Sequence, residues 1–238
     1  MNTKMKLLAI ASLSGAMFAG NVAAGPTIDL DYQGATHGFN SGNLSNTATS
    51  SNYNNYNAGM FNFTTSNAVG ASPIAWTGAL DAFCIDLDVV LDESNRTYEL
   101  KTADSYFNNA NLVSSISKLY TGYQSSVAGV GSSAAFQLAL WEVIYETGGS
   151  YGLQGGNFRA DTGFSGSRTL ADGWLAGLAG QSEDYVMYVL DAVTVPGGAD
   201  SQDLLVFTPK PPVSVPEPGT LALLGLGLAG LAARRKKA

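Results

Sequence analysis

The sequence predicts an α+β fold, a β-rich ectodomain carrying two or three helices. Three observations predict it. Short runs that alternate apolar and polar residues fill the first hundred positions and return after residue 183. Runs with helical spacing occupy the middle, best developed from Ser133 to Glu146. Strands, then helices, then strands suit an α+β domain better than a pure sandwich. No internal repeat is evident, which argues against solenoids and propellers.

Both ends read as processing segments and stand apart from the fold. Lys4 and Lys6 form a positive start, Leu7 to Ala19 is apolar, and Val22-Ala23-Ala24 supplies small residues before a cut. That layout predicts a secretory signal peptide over 1–24. The body, residues 25–208, is long enough for one sizeable domain.

Within the body, Thr27 to Tyr32 alternates like an edge strand. Gly38 to Asn57 is rich in Ser, Gly and Asn and reads as an exposed loop, or as an adhesive or glycosylated strip. Met60 to Thr64 alternates again, and Ala82 to Leu91 is β-rich. Thr97 to Lys101 is expected to return antiparallel to that run across a turn at Asp92 to Arg96. Leu112, Ile116, Leu119 and Tyr120 have helical spacing. Ser133 to Glu146 gives the strongest helix; Thr169 to Leu178 gives a weaker one, interrupted by Gly173 and Gly177. Glu183 to Val195 and Asp203 to Thr208 read as strands. Residues 209–215 form a Pro-rich extended linker that runs on to Pro218.

The tail has three parts. Val215-Pro216-Glu217-Pro218 precedes an uncharged run, Thr220 to Ala233, followed by Arg234-Arg235-Lys236-Lys237. Fourteen helical residues reach only ~21 Å, against a hydrocarbon core of ~30 Å. The run is short, but the cations hold their end on the cytoplasmic side and their stems snorkel. A transmembrane helix over 220–233 is expected. Residues 215–238 resemble the PEP-CTERM sorting signal of Gram-negative bacteria. The resemblance implies export through the Sec translocon and an intermediate anchored in the inner membrane. An exosortase would then process the chain and release it to the cell surface or extracellular matrix.

Charge narrows the partners. The chain carries −7 overall, but the mature stretch from Gly25 to Pro216 holds 6 basic and 18 acidic residues, a net of −12. Phosphate binding needs clustered cations, so nucleic acid is excluded as a partner. Binding to anionic lipid heads is disfavoured likewise.

Cys84 is the single cysteine. An unpaired Cys in an exported chain needs explaining, because that compartment favours disulfides. Its setting, Phe83-Cys84-Ile85-Asp86-Leu87, allows a buried core thiol or an intermolecular disulfide. Along the strong helix, Phe136, Leu140, Val143 and Ile144 form an apolar face, while Gln137, in its first turns, shares a side with Trp141 and Ile144. A Gln on an apolar side must find partners or it costs free energy.

These two segments resemble the thioester domains of bacterial surface adhesins, over about residues 81–146. Phe83-Cys84 and Phe136-Gln137-Leu138-Ala139-Leu140-Trp141 carry the resemblance. It implies that the Cys84 thiol attacks the Gln137 carboxamide, ammonia leaves, and a thioester joins strand to helix. Phe83, Phe136 and Trp141 would shield the bond, and a helix N-terminus would stabilise the developing negative oxygen. A partner's amine would then replace the sulfur.

Other chemistry is sparse. His37 is the only histidine, so a Ser-His-Asp triad would have to run through it, and no Cys/His metal spacing exists. Asp86, Asp88, Asp92 and Glu93 suggest calcium only weakly; Asp86 and Asp88 on one strand face read as a solvated acidic surface. Gly148-Gly149, Gly155-Gly156 and Gly197-Gly198 read as turns. The expected protein is no enzyme and needs no cofactor or metal. Its expected role is structural or adhesive in an exopolysaccharide matrix or biofilm, through covalent capture of an amine-bearing partner. The alternative is a noncovalent glycan-binding surface module.

Overall fold

The computed structural model describes residues 25–76, 78–146, 150–194 and 197–211. The expected signal peptide, transmembrane helix, sorting motif and basic tail lie outside the described residues. No helix among the described residues is long and apolar enough to cross a membrane.

Six strands close a barrel in the order β1 (Thr27–Ala35), β4 (Phe61–Val69), β5 (Ala79–Cys84), β9 (Leu204–Pro209), β8 (Tyr185–Ala192) and β6 (Arg96–Thr102), which returns to β1. All its pairings are antiparallel. Alternation sets the register. Ile28 and Leu30 point inward on β1 and lie opposite Tyr98 and Arg96 of β6, so buried residues meet buried residues. Closure leaves the barrel no free edge.

A second sheet runs β3 (Ser51–Ala58), β2 (Asn40–Asn46), β7 (Phe158–Gly163). Four α-helices, α1 (Ala103–Phe107), α2 (Ala110–Tyr123), α3 (Val130–Tyr145) and α4 (Ser167–Ala176), and two single 3-10 turns, Gln124–Ser126 and Leu178–Gly180, complete the described elements. Thr102 caps α1 and Asn109 caps α2, each accepting a backbone N–H near the helix start. Helix α3 packs against α2, α4 and all three strands of the small sheet. Every residue from Ser133 to Val143 is buried, so α3 is the axis of the core rather than an amphipathic cover.

Several expectations change. The stretch from Gly38 to Asn57 is largely a hairpin, not an exposed loop. Its buried Leu44 and its partly buried Tyr53 and Tyr56 pack on the core between polar neighbours. Thr27 to Tyr32 is no edge strand, because β4 and β6 flank it. The β-rich run at Ala82 to Leu91 leaves the sheet after Cys84, and β6 pairs with β1 and β8 rather than returning beside it. The connecting segment is held by the chain near residue 200 instead. Arg96 donates to the Ala199 carbonyl at 2.9 Å, and the Ser201 hydroxyl accepts from Asp92 N–H at 3.0 Å.

Strand β2 meets β7 with Gly42 opposite Gly163, and Gly163 holds φ +83°. A Cβ at Gly42 would run into the Thr162 carbonyl and the Phe164 ring. Gly42→Ala is expected to cost roughly 1–3 kcal/mol through that overlap. Thermal melting checks it, and an unchanged midpoint would refute the close approach.

Candidate functional site

Cys84 is the last residue of β5. On the β9 side the pairing continues beyond it, with Ile85 N–H donating to Asp203 O at 3.1 Å. Backbone groups alternate along a strand, so the N–H and C=O of Cys84 face the β4 side. Pairing with β4 has already ended there, at Phe61 opposite Ala82. The Gln137 carboxamide fills the vacant position. Cys84 N–H donates to Gln137 Oε1 at 3.0 Å, and Gln137 Nε2 donates to Cys84 O at 2.7 Å. A helix side chain thus stands in for a strand, and both polar ends of a buried Gln are satisfied.

Gln137 lies seven residues after Val130, in the interior of α3 and not in its first turns. Its oxygen therefore receives a strand N–H, not the donors of a helix N-terminus.

The Cys84 thiol is 1% exposed and donates to Asp86 O at 2.8 Å. Burial pushes the thiol well above its ordinary pKa, and the Asp86 carboxylate adds to the shift. The backbone hydrogen bond to Asp86 and the neighbouring Trp141 indole oppose it. A resting thiolate, the nucleophilic form of cysteine, is disfavoured here.

Trp141 lies one turn beyond Gln137, buried, with its ring 5.6 Å from that of Tyr56. Its Nε1 is near enough to the Cys84 sulfur to oppose the rise in the thiol pKa, but it makes no hydrogen bond of good geometry. Phe83 and Phe136 pack together at 4.4 Å between ring centroids. As the strand neighbour of Cys84, Phe83 points to the opposite face, so this pair backs the site rather than roofing the sulfur. Three further residues hold the segment that follows Cys84. Tyr56 O–H donates to Leu87 O and Tyr145 O–H donates to Ile85 O, both at 3.0 Å. Gln202 Nε2 donates to Tyr56 Oη at 3.1 Å and to Asp86 O at 3.3 Å. Tyr145, one turn past Trp141, was open to discovery by helical spacing. Tyr56 arrives from β3 and Gln202 from the segment just before β9, and neither had a local signal.

The acidic residues serve as internal acceptors. Asp86 Oδ2 accepts from Asp203 N–H at 2.7 Å, and Asp88 accepts from Tyr53 O–H at 2.6 Å. Asp92 pairs with Arg96 at 3.2 Å. None of the three lies on a strand, so the expected acidic strand face does not form. Sequence reasoning also passed over Glu142, fully buried on α3. Its Oε1 accepts from Gly152 N–H at 2.7 Å, while Oε2 has no partner. Burial chiefly, with Glu146 and Asp172 adding, pushes its pKa up to about 7.

No curated protein matches the chain. Among solved structures it is similar to the N-terminal thioester domain of protein F2 like fibronectin-binding protein from Streptococcus pneumoniae. Identity is 12%, with 78% of this chain and 94% of that chain covered at a TM-score of 0.39. Residues 214–236 match the PEP-CTERM protein-sorting motif, so the chain carries the signal of an exported protein handed to an exosortase.

Proposed function

We propose that this is a cell-surface or extracellular-matrix protein that captures an amine-bearing partner covalently through a Cys84–Gln137 thioester. The observation that carries the reading is the reciprocal pair of hydrogen bonds, at 3.0 and 2.7 Å, between the Gln137 carboxamide and the Cys84 backbone. Those bonds hold the Gln137 carboxamide against the backbone of the residue whose thiol would attack it, so proximity would replace an encounter.

The step balances without a cofactor. The Cys84 sulfur leaves the Asp86 carbonyl and attacks Gln137 Cδ. Negative charge gathers on Oε1, where the Cys84 N–H already donates. The thiol proton passes to Nε2, the C–N bond breaks, and ammonia leaves. Because that proton ends on the leaving nitrogen, the raised thiol pKa is no obstacle. Trp141, Tyr56 and Tyr145 then keep water from the thioester. A neutral amine attacks the Gln137 carbonyl, the C–S bond breaks, and Cys84 regains its proton as an amide forms. One bond is made per chain, so this is single-use capture and not turnover. Capture at an exopolysaccharide matrix or biofilm surface suits the acidic, exported body.

The competing reading is a noncovalent glycan-binding module in which Gln137 only completes the end of β5. Full pairing of both ends of its carboxamide favours that reading. Intact mass spectrometry of the purified protein separates the two. Covalent capture predicts a mass lower by one ammonia, restored to the full value in Cys84→Ala. Full mass in the wild-type protein, with a thiol that alkylates after denaturation, would sink it.

A further inference from the structure

The Cys84 thiol is shut off from solvent, yet it shares a hydrogen-bond acceptor with the lining of a cavity of about 250 Å³. Gln202 lines that cavity, and its Nε2 donates to Asp86 O, the carbonyl to which the thiol donates. Tyr56 stands beside it, in the cavity wall and against Trp141.

The lining has a definite chemistry. Gln202 is 4% exposed and its Oε1 has no hydrogen-bond partner. A buried carbonyl oxygen left unpaired calls for a donor. Tyr32, Phe39 and Phe61 form an aromatic wall, with centroids 5.7 Å apart for Tyr32 and Phe61 and 5.6 Å for Phe39 and Phe61. Glu93 supplies a carboxylate at the exposed rim, close enough to help raise the Tyr32 phenol pKa, which burial raises first. A carboxylate outside, aromatic faces along the wall and an acceptor at the inner end suit one ligand class. That class is a primary alkylammonium with an apolar stem, such as a lysine side chain.

We propose that this cavity is where the partner's amine docks before it reaches the Gln137 carbonyl, with Gln202 as both acceptor and gate. The inference rests on the covalent-capture reading of Cys84 and Gln137. Glu93 draws in the ammonium, and the stem packs against the aromatic wall. The ammonium releases its proton to solvent. Displacement of Gln202 and Tyr56 then admits the neutral amine, which attacks the carbonyl carbon and expels the sulfur of Cys84.

Two measurements test this, with butylamine as the probe. Cys84→Ala protein cannot form the thioester, so binding is read directly by NMR titration. Saturable binding is expected, weakened at least tenfold by Glu93→Gln and by Gln202→Leu. In the wild-type background both substitutions should retain the ammonia-deficient mass while slowing butylamine incorporation at least tenfold. Because Glu93 is exposed, its variant keeps the test sound even where Gln202→Leu misfolds. Full wild-type mass with butylamine binding intact would remove covalent capture and leave the cavity assignment standing. An ammonia-deficient mass with both variants reacting at the wild-type rate would remove the cavity assignment alone. Absence of butylamine binding to Cys84→Ala protein, or preferential binding of glucose there, would also overturn it.

Discussion

In a Cys84→Ala background, where the carboxamide cannot be consumed, Gln137→Leu is expected to destabilise the protein by roughly 2–6 kcal/mol, the cost of leaving two buried polar groups unpaired at about 1–3 kcal/mol each. The substitution keeps the volume and apolar character that α3 needs in the core. What it removes is the partner of Cys84 N–H and of Cys84 O, which pairing with β4 no longer reaches. Urea denaturation reads the loss as a fall in midpoint. Gln137→Glu gives a sharper control. Its carboxylate would accept from Cys84 N–H but set a second oxygen against Cys84 O, so its stability should recover in acid, where a protonated carboxyl donates again. A midpoint unchanged in Gln137→Leu would show that the two hydrogen bonds hold nothing together.

Glu142→Gln is expected to act in the opposite sense, stabilising the protein at pH 8 by about 3 kcal/mol. Burial is the chief cause that pushes the wild-type carboxyl up to about 7 in the fold, from an ordinary 4.5. Between those values the folded chain holds a proton that the unfolded chain has lost. Its favourable contribution is therefore present below pH 4.5 and is lost as pH rises toward 7. Asp203, pushed up to about 6 mainly by burial, acts in the same direction over a lower window. The melting temperature of the wild-type protein should accordingly fall from pH 5 to pH 8. Glutamine keeps an acceptor for Gly152 N–H and adds no charge, so the variant should lose most of that slope. At pH 8 its midpoint should rise by roughly 6–12 °C for a domain of this size. A slope unaltered by the substitution would show that Glu142 meets its countercharge or water in solution.

The helices were the legible part of the chain. Ser133 to Glu146 overlaps most of α3 because long apolar side chains recur without Gly or Pro, and Leu112 to Tyr120 falls inside α2 for the same reason. The hairpin of β2 and β3 was hidden because its inward side chains, Leu44, Tyr53 and Tyr56, sit among Asn, Ser and Gly, residues that ordinarily mark loops. Strand partners were hidden for another reason. A local turn at Asp92 to Arg96 suggested a hairpin, but Ser201 and the Ala199 carbonyl compete for that segment from far along the chain. At the site, the local patterns around Cys84 and Gln137 singled out both residues. The hold of Tyr56 and Gln202 on the segment after Cys84 depends on tertiary neighbours that no local pattern encodes.

The place of β9 in the barrel has a mechanical consequence. It is the last described strand, and it pairs with β8 along its full length and with β5 at Phe83 and Cys84. A pull on the chain beyond residue 211 runs along β9, so the ladder hydrogen bonds bear load together, in shear, instead of unzipping one at a time. Load reaches Cys84 through β5 and passes across the Gln137 carboxamide into α3, the most buried helix in the molecule. A partner joined to Gln137 would be tethered to the part of the fold hardest to extract.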